Sequence, residues 1–142
     1  MIKELAAYEK LAHEVTATEE ILGSALFGSR PAAEVVIAYV DAEPAGFAVY
    51  FQTFSTFLGL PGVYLEDVYV SPAWRGLGLG RRLLAHVASV AVDRGCGRME
   101  WSVLDWNELA LNLYRKIGAR PMDEWTVQRL TGAALRDLAS TV

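Results

Sequence analysis

The stretch Val63–Leu84, VYLEDVYVSPAWRGLGLGRRLL, constrains this chain more than any other. Val63, Leu65, Val68 and Val70 are apolar and mostly β-branched, as a strand requires, and Ser71-Pro72 stops the run. Gly76, Gly78 and Gly80 then bring bare backbone to the front of an apolar-periodic segment that starts at Leu79. N–H groups at a helix start, with no Cβ atoms in the way, form a seat for phosphate. Arg75 adds a permanent cation, so the stretch is expected to bind an anion, a pyrophosphate above all. A Walker loop is excluded because no Lys follows the glycines. A dinucleotide fingerprint is excluded because Arg81 stands where its third Gly should be. What remains is an R-x-x-G-x-G loop behind an acidic strand, a pattern that by itself fits an ordinary turn as well as an anion seat.

Length and charge narrow the partners. A chain of 142 residues, 53% hydrophobic and 21% charged, is expected to form one domain, 1–142, with a substantial core. The net charge of -4 argues against a nucleic-acid partner, which needs a basic face, and mildly favours a cationic substrate. No apolar run is long enough to cross a bilayer, and MIKELAAYEK has no signal-peptide pattern, so a cytoplasmic protein is expected. Cys96 alone excludes a disulfide framework and reads as a small buried apolar residue. His13 and His86 are too few for a metal cluster, so no metal is expected.

Taken in order, Ile2–Leu11 has helical spacing. Thr16-Ala17-Thr18-Glu19 fits a capping box for a helix through Leu26 that Gly28 ends. Val35–Val40 and Gly46–Phe54 read as a hairpin around Asp41-Ala42-Glu43-Pro44. A turn around Gly59-Leu60-Pro61-Gly62 leads to the strand Val63–Val70. The helix Leu79–Asp93 carries an apolar stripe of Leu79, Leu83, Leu84, Val87, Ala88 and Ala91, so it packs on a sheet. Arg98–Leu104 is a strand, Asp105-Trp106-Asn107 caps a helix to Gly118, Trp125–Leu130 is a strand and Ala133–Ala139 a tail helix. The order predicts an α/β (or α+β) three-layer domain around a mixed sheet.

Several residues could do chemistry. Glu66 and Asp67 adjoin inside a strand, where neighbours point to opposite faces unless a bulge intervenes. They are either a solvated edge or a general base. An alkylamine with a pKa of about 10.4 is protonated at neutral pH, and a carboxylate can hold the cation and then take its proton. Tyr114, seven residues after Asn107 on the same helix face, is either a core aromatic or a phenol able to protonate a departing thiolate. Asn107 is a capping residue, which leaves room for a second role.

Tyr64-Leu65-Glu66-Asp67-Val68-Tyr69-Val70, Arg75-Gly76-Leu77-Gly78-Leu79-Gly80, Leu104-Asp105-Trp106-Asn107 and Leu113-Tyr114 with Gly118-Ala119 resemble successive blocks of the GNAT N-acetyltransferases. They are closest to the spermidine/spermine branch and its thialysine N-acetyltransferase relatives. Lys3-Glu4-Leu5-Ala6, Tyr8-Glu9 and the tail from Glu124-Trp125 to Leu130 extend the likeness over essentially the whole chain.

The resemblance implies a GNAT-like fold, a mostly antiparallel central sheet with helices on both faces. It also implies acetyl-CoA as cofactor and direct attack by an amine in a ternary complex. The backbone of Val68 and Val70 would pair with the pantetheine arm where two strands splay. Arg75, Gly76, Leu77, Gly78, Leu79, Gly80 and Arg81 would hold the pyrophosphate, Asn107 the amide region, and Tyr114 would sit by the sulfur as general acid. Glu66 would be the base through water, with Asp67 orienting the amine. Tyr8 and Glu9 would line the acceptor site, with Glu14 a weaker candidate.

Two departures from the family shape the expectations. Phe54-Ser55-Thr56-Phe57 lacks the acid and Trp of the polyamine enzymes, which favours a thialysine-like amino acid or small diamine over a long polyamine. The family's first strand has no counterpart here, which would leave Val35–Val40 as an edge to be covered by a loop or a partner subunit. A homodimer through the tail strand and helix is expected by the same resemblance. A GNAT acting on a protein N-terminus or lysine, and a non-catalytic acyl-CoA-binding module, are the alternatives.

Overall fold

The computed structural model describes residues 1–142 as a mixed α/β structure around a four-stranded sheet. The chain divides into two compact units, Met1–Asn107 and Glu108–Val142.

In the first unit, helix α1 (Ile2–Tyr8) and helix α2 (Glu19–Phe27) precede strands β1 (Glu34–Val40), β2 (Glu43–Ser55) and β3 (Leu60–Val70). Helix α3 (Leu79–Asp93) and strand β4 (Met99–Trp101) follow, and short 3-10 turns occupy Ala12–Glu14 and Pro72–Trp74. The strands lie in the order β1-β2-β3-β4, antiparallel except for the parallel pair β3–β4. Asp41 and Ala42 both have positive φ, 48° and 67°, which gives the two-residue turn whose twist suits a hairpin. Phe47 and Tyr69 face α1, where they close a cluster with Leu5. Ala48 and Tyr50, which alternate with Phe47 along β2, are buried as well. That second face is the side α3 covers with Leu79, Leu83, Leu84, Val87 and Ala91, a stripe matching the expected one except for exposed Ala88.

Several boundaries differ from the sequence reading. The box Thr16–Glu19 does not form: Thr18 is the N-cap, its hydroxyl accepting from the Ile21 N–H at 3.2 Å. Glu19 is therefore the first helical residue and cannot reach back as a capping-box acid must. Leu60, Pro61 and Gly62 belong to β3, paired with Ser55, Phe54 and Thr53, and only Gly59 (φ 66°) turns the chain. Gly62 is small for a different reason, since a Cβ there would lie 2.7 Å from the Thr53 hydroxyl oxygen. Strand β4 stops at Trp101 rather than Leu104. β1 is the outermost strand, with Ile37 and Tyr39 exposed and no strand along its outer edge.

The second unit holds helix α4 (Glu108–Lys116), which starts directly after Asn107, and helix α5 (Gly132–Ala139), which follows Thr131 as N-cap. The strand expected over Trp125–Leu130 is not formed. Its alternating apolar residues find no partner strand in the chain, and a single extended segment has no ladder to hold it. Trp125 is 75% and Val127 79% exposed.

Candidate active site

The site starts from a fault in β3. Val49 pairs with Asp67 and Tyr50 with Leu65, so Glu66 is the extra residue of a β-bulge. A bulge breaks the two-residue alternation and bends the strand, so Glu66 and Asp67 need not point to opposite faces. The parallel pairing of β3 with β4 ends at Leu65–Trp101, immediately before the bulge. Beyond it β3 continues through Val68 and Val70, still paired with Ala48 and Gly46 of β2, while its β4 side pairs with no strand. The bend at Glu66 accounts for the short β4, and it leaves an opening between the strands where a chain with amide groups can add its own hydrogen bonds.

At the end of β3 the chain passes through Pro72–Trp74 into the glycine loop. Gly76 and Gly78 both adopt left-handed conformations (φ 80° and 76°), and a Cβ on either would meet open space. Gly78 is the N-cap of α3 and provides no side-chain cap. The first turn carries no acid but contains Arg81 and Arg82, both exposed and absent from the ion pairs of the structure. Cations at a helix N-terminus oppose the helix dipole, and uncapped N–H groups are a further cost. Both features fit an anion held at this end of α3. Leu77 is exposed in the loop and Leu79 is buried.

Carboxylates gather next to the bulge. Burial, and then the charges of Glu66 and Glu9, push the Asp67 carboxyl up to about 6. Burial also raises Glu9, at the C-terminal end of α1. Glu66 itself is exposed. Asp67 thus has two further carboxylates near enough to raise it, an arrangement that favours a cation beside it.

Aromatic rings flank this cluster. The Tyr8 hydroxyl donates to Asn107 Oδ1 at 3.1 Å, and the Tyr8 and Trp106 rings meet at 5.8 Å between centroids. The Arg75 guanidinium lies 4.9 Å from the Tyr8 ring and 5.8 Å from the Tyr69 ring, and its Nε donates to the Val70 carbonyl at 3.0 Å. Lys10, in a left-handed conformation (φ 63°), holds its ammonium 5.3 Å from the Trp106 ring.

Within the first unit the structure thus brings Tyr8, Glu9, Glu66, Asp67 and Asn107 into one neighbourhood, with Val68, Val70 and Arg75 to Arg81 continuing along the same strand and loop. Glu14 is exposed in the Ala12–Glu14 turn, 3.6 Å from His13 Nε2. Tyr114 lies half-buried in the middle of α4, in the second unit. Sequence reasoning gave Lys10 and Arg82 no role, and read Trp106 only as apolar area for a dimer contact or the core. Trp106 lay within a block read for Asn107, and Arg82 beside Arg81, whereas the left-handed turn at Lys10 leaves no mark in the sequence.

Residues 3–119 match the model of the Acetyltransferase (GNAT) family. The chain belongs to this family. This acetyltransferase is 40% identical to the mouse thialysine N-epsilon-acetyltransferase, over 98% of its own length and 88% of the relative's. It is 32% identical to L-ornithine N5-acetyltransferase NATA1 of Arabidopsis thaliana, over 96% and 79%. Among solved structures, an integron cassette protein from the mobile metagenome of V. cholerae superposes with a TM-score of 0.79 at 29% identity, covering 96% of this chain and 85% of that one.

Proposed function

We propose that this acetyltransferase moves the acetyl group of acetyl-CoA to the primary amine of a small cationic acceptor. The acceptor is a thialysine-like amino acid or short diamine rather than a long polyamine, and attack is direct, in a ternary complex. The observation that carries the reading is the continuity of the site. The unpaired edge of β3 at Val68 and Val70 leads from the Glu66–Asp67 bulge to the uncapped, doubly cationic start of α3. The space beside Gly76 and Gly78 is open where a Cβ would stand, and acetyl-CoA would supply the activated acetyl group.

The chain's own residues then have these tasks. The loop amides from Gly76 to Gly80, with Arg81 and Arg82 beside them, neutralise the diphosphate. Asn107 steadies the arm of the ligand, and Tyr8, Glu9 and Asp67 receive the cationic acceptor. A carboxylate of the Glu66–Asp67 pair takes the ammonium proton, directly or through water, so that the nitrogen lone pair can form the amide bond. Tyr114 gives its phenolic proton to the sulfur as the C–S bond breaks. Asp67, held up to about 6, stands beside Glu66 as a carboxyl able to pass a proton on near neutral pH. The acceptor choice is supported by the names of the relatives and by the β2–β3 hairpin. That hairpin carries Phe54-Ser55-Thr56-Phe57, with Phe57 97% exposed, a segment without the acid that the resemblance to the polyamine enzymes would lead one to expect. The chain is further proposed to work as one catalytic domain, in the cytoplasm, as a homodimer using the tail; no helix is long and apolar enough to cross a membrane.

An acetyl-transfer screen with thialysine, lysine, ornithine, putrescine, spermidine and peptides, scored by kcat/KM, tests the proposal. Short amines are expected to lead. Tyr114→Phe and Glu66→Gln are expected to lower kcat about 100-fold or more while acetyl-CoA still binds. Wild-type rates in both variants would overturn the assigned roles. A peptide preference would move the acceptor to protein amines, and tight acetyl-CoA binding without transfer would leave a binding module.

A further inference from the structure

The glycine loop begins with an arginine whose charge faces away from the loop. Arg75 bends back five residues to the Val70 carbonyl, and its guanidinium sits against the rings of Tyr8 and Tyr69. A planar cation flanked by two rings and hydrogen-bonded at Nε has its faces and one donor committed. Tyr69 is buried, and its hydroxyl donates to Glu4 of α1 at 3.2 Å. Tyr8 is the last residue of α1, and its own hydroxyl reaches Asn107. Arg75 is thus the joint through which the loop, the end of β3 and the end of α1 meet.

That joint matters because α1 is short. Seven residues do not make a stable helix in water, so α1 holds its place only through what it docks on. One anchor is apolar, Leu5 on Phe47 and Tyr69. Leu5 and Ala6 are its buried residues, and both lie on the N-terminal side of Tyr8. C-terminal to them, the end of the helix that carries Tyr8 and Glu9 is held through Tyr8, by Arg75, Asn107 and the Trp106 ring.

We propose that Arg75 is a positioning residue for the acceptor side of the site: its guanidinium fixes the Tyr8–Glu9 end of α1 against β3, while the diphosphate charge is met by Arg81, Arg82 and the loop amides. The proposal rests on the acetyl-CoA reading only for the identity of the two ligands; the docking of α1 stands without it.

Four proteins decide it: wild type, Arg75→Lys, Arg75→Gln and Arg81→Gln. Acetyl-CoA affinity is measured by calorimetry at low and high salt, KM and kcat with the best amine of the screen, and amide hydrogen exchange over α1 and α3. Both Arg75 variants are expected to raise the amine KM at least fivefold and to speed exchange of the Leu5–Leu11 amides at least tenfold. Acetyl-CoA affinity and its salt dependence should stay within twofold of wild type, and α3 protection should not change. Arg81→Gln is expected to do the reverse, weakening acetyl-CoA about fivefold, flattening the salt dependence and leaving α1 protection intact. If Arg75→Gln weakens acetyl-CoA as Arg81→Gln does, and Arg75→Lys restores it, Arg75 serves the diphosphate by charge and the proposal falls. It falls equally if α1 exchange is unchanged in both variants. Arg75→Lys is read alone should the Gln variant not fold. If wild type neither binds acetyl-CoA nor transfers acetyl, the functional reading fails, and the α1 exchange comparison still decides the role of Arg75.

Discussion

In residues 1–107 the middle of β2, around Phe47 and Ala48, is covered on both faces, and Leu79, Leu83, Leu84, Val87 and Ala91 of α3 are buried, with Ala48 and Val87 at 0% exposure. In residues 108–142 no apolar side chain is buried: Leu135 and Leu138 of α5 stand in solvent, as do Trp125 and Val127 before it. Both regions have amphipathic helices of similar sequence texture. The difference is the sheet. An apolar helical stripe becomes a core only where a flat apolar surface faces it, and the first region builds that surface from three long strands while the second has none. Periodicity therefore tells of the helix, and only the sheet tells whether the helix is a structural wall.

The largest effect that would test this contrast comes from paired truncations. Leu65→Ala, in the centre of β3 at 2% exposure, is expected to cost about 3 kcal/mol in denaturant unfolding, as a buried leucine does. Leu138→Ala is expected to stay within about 0.5 kcal/mol, as an exposed position does. A Leu138→Ala cost close to that of Leu65→Ala at high protein concentration, shrinking as the protein is diluted, would show that the tail is covered by a second copy.

A smaller effect separates function from stability inside the first region. The Asp67 carboxyl is raised from 3.8 to about 6, so the folded state binds the extra proton and stability falls as pH rises from about 4 to about 6. Asp67→Asn removes that penalty. The full shift corresponds to about 3 kcal/mol, which partial exposure reduces to about 1 kcal/mol of added stability at pH 7, vanishing below about pH 4. The same variant is expected to lose most of its turnover, and wild-type kcat/KM is expected to rise with pH through an apparent pKa near 6. A variant that is no more stable at pH 7 than at pH 4, relative to wild type, would contradict the burial of this charge.

The smallest effect is local. Ala42 holds φ at 67° in the β1–β2 turn, a conformation an L side chain adopts at a cost. Ala42→Gly is expected to stabilise the protein by about 0.5 kcal/mol, after the greater backbone entropy lost by glycine. No gain in melting temperature would show that the turn is not strained.

The parts legible in the sequence were those fixed by local chemistry. The helix from Leu79 to about Asp93 was readable, because glycines precede it and its apolar stripe, Ala88 apart, is the face that is buried. β1 and β2 followed from alternation around a turn. β4 was overestimated because its length is set by its neighbour: the Glu66 bulge ends the pairing three residues before Leu104, and no feature of Ser102–Leu104 announces it. Trp125–Leu130 was misread because alternation reports a capacity for pairing, and the partner is a matter of topology. Within the site, the acidic pair and the glycine loop were visible from residue type. The side-chain direction of Arg75 was not, since nothing in the loop says that two tyrosines distant in sequence will bracket its guanidinium.

The bulge at Glu66 also carries a consequence for how such a site could be erased. Deleting that one residue, rather than replacing it, would put β3 back in step, and its far half could then zip onto a lengthened β4. The protein would gain a more regular sheet, and the gap between the two strands would be filled by its own backbone.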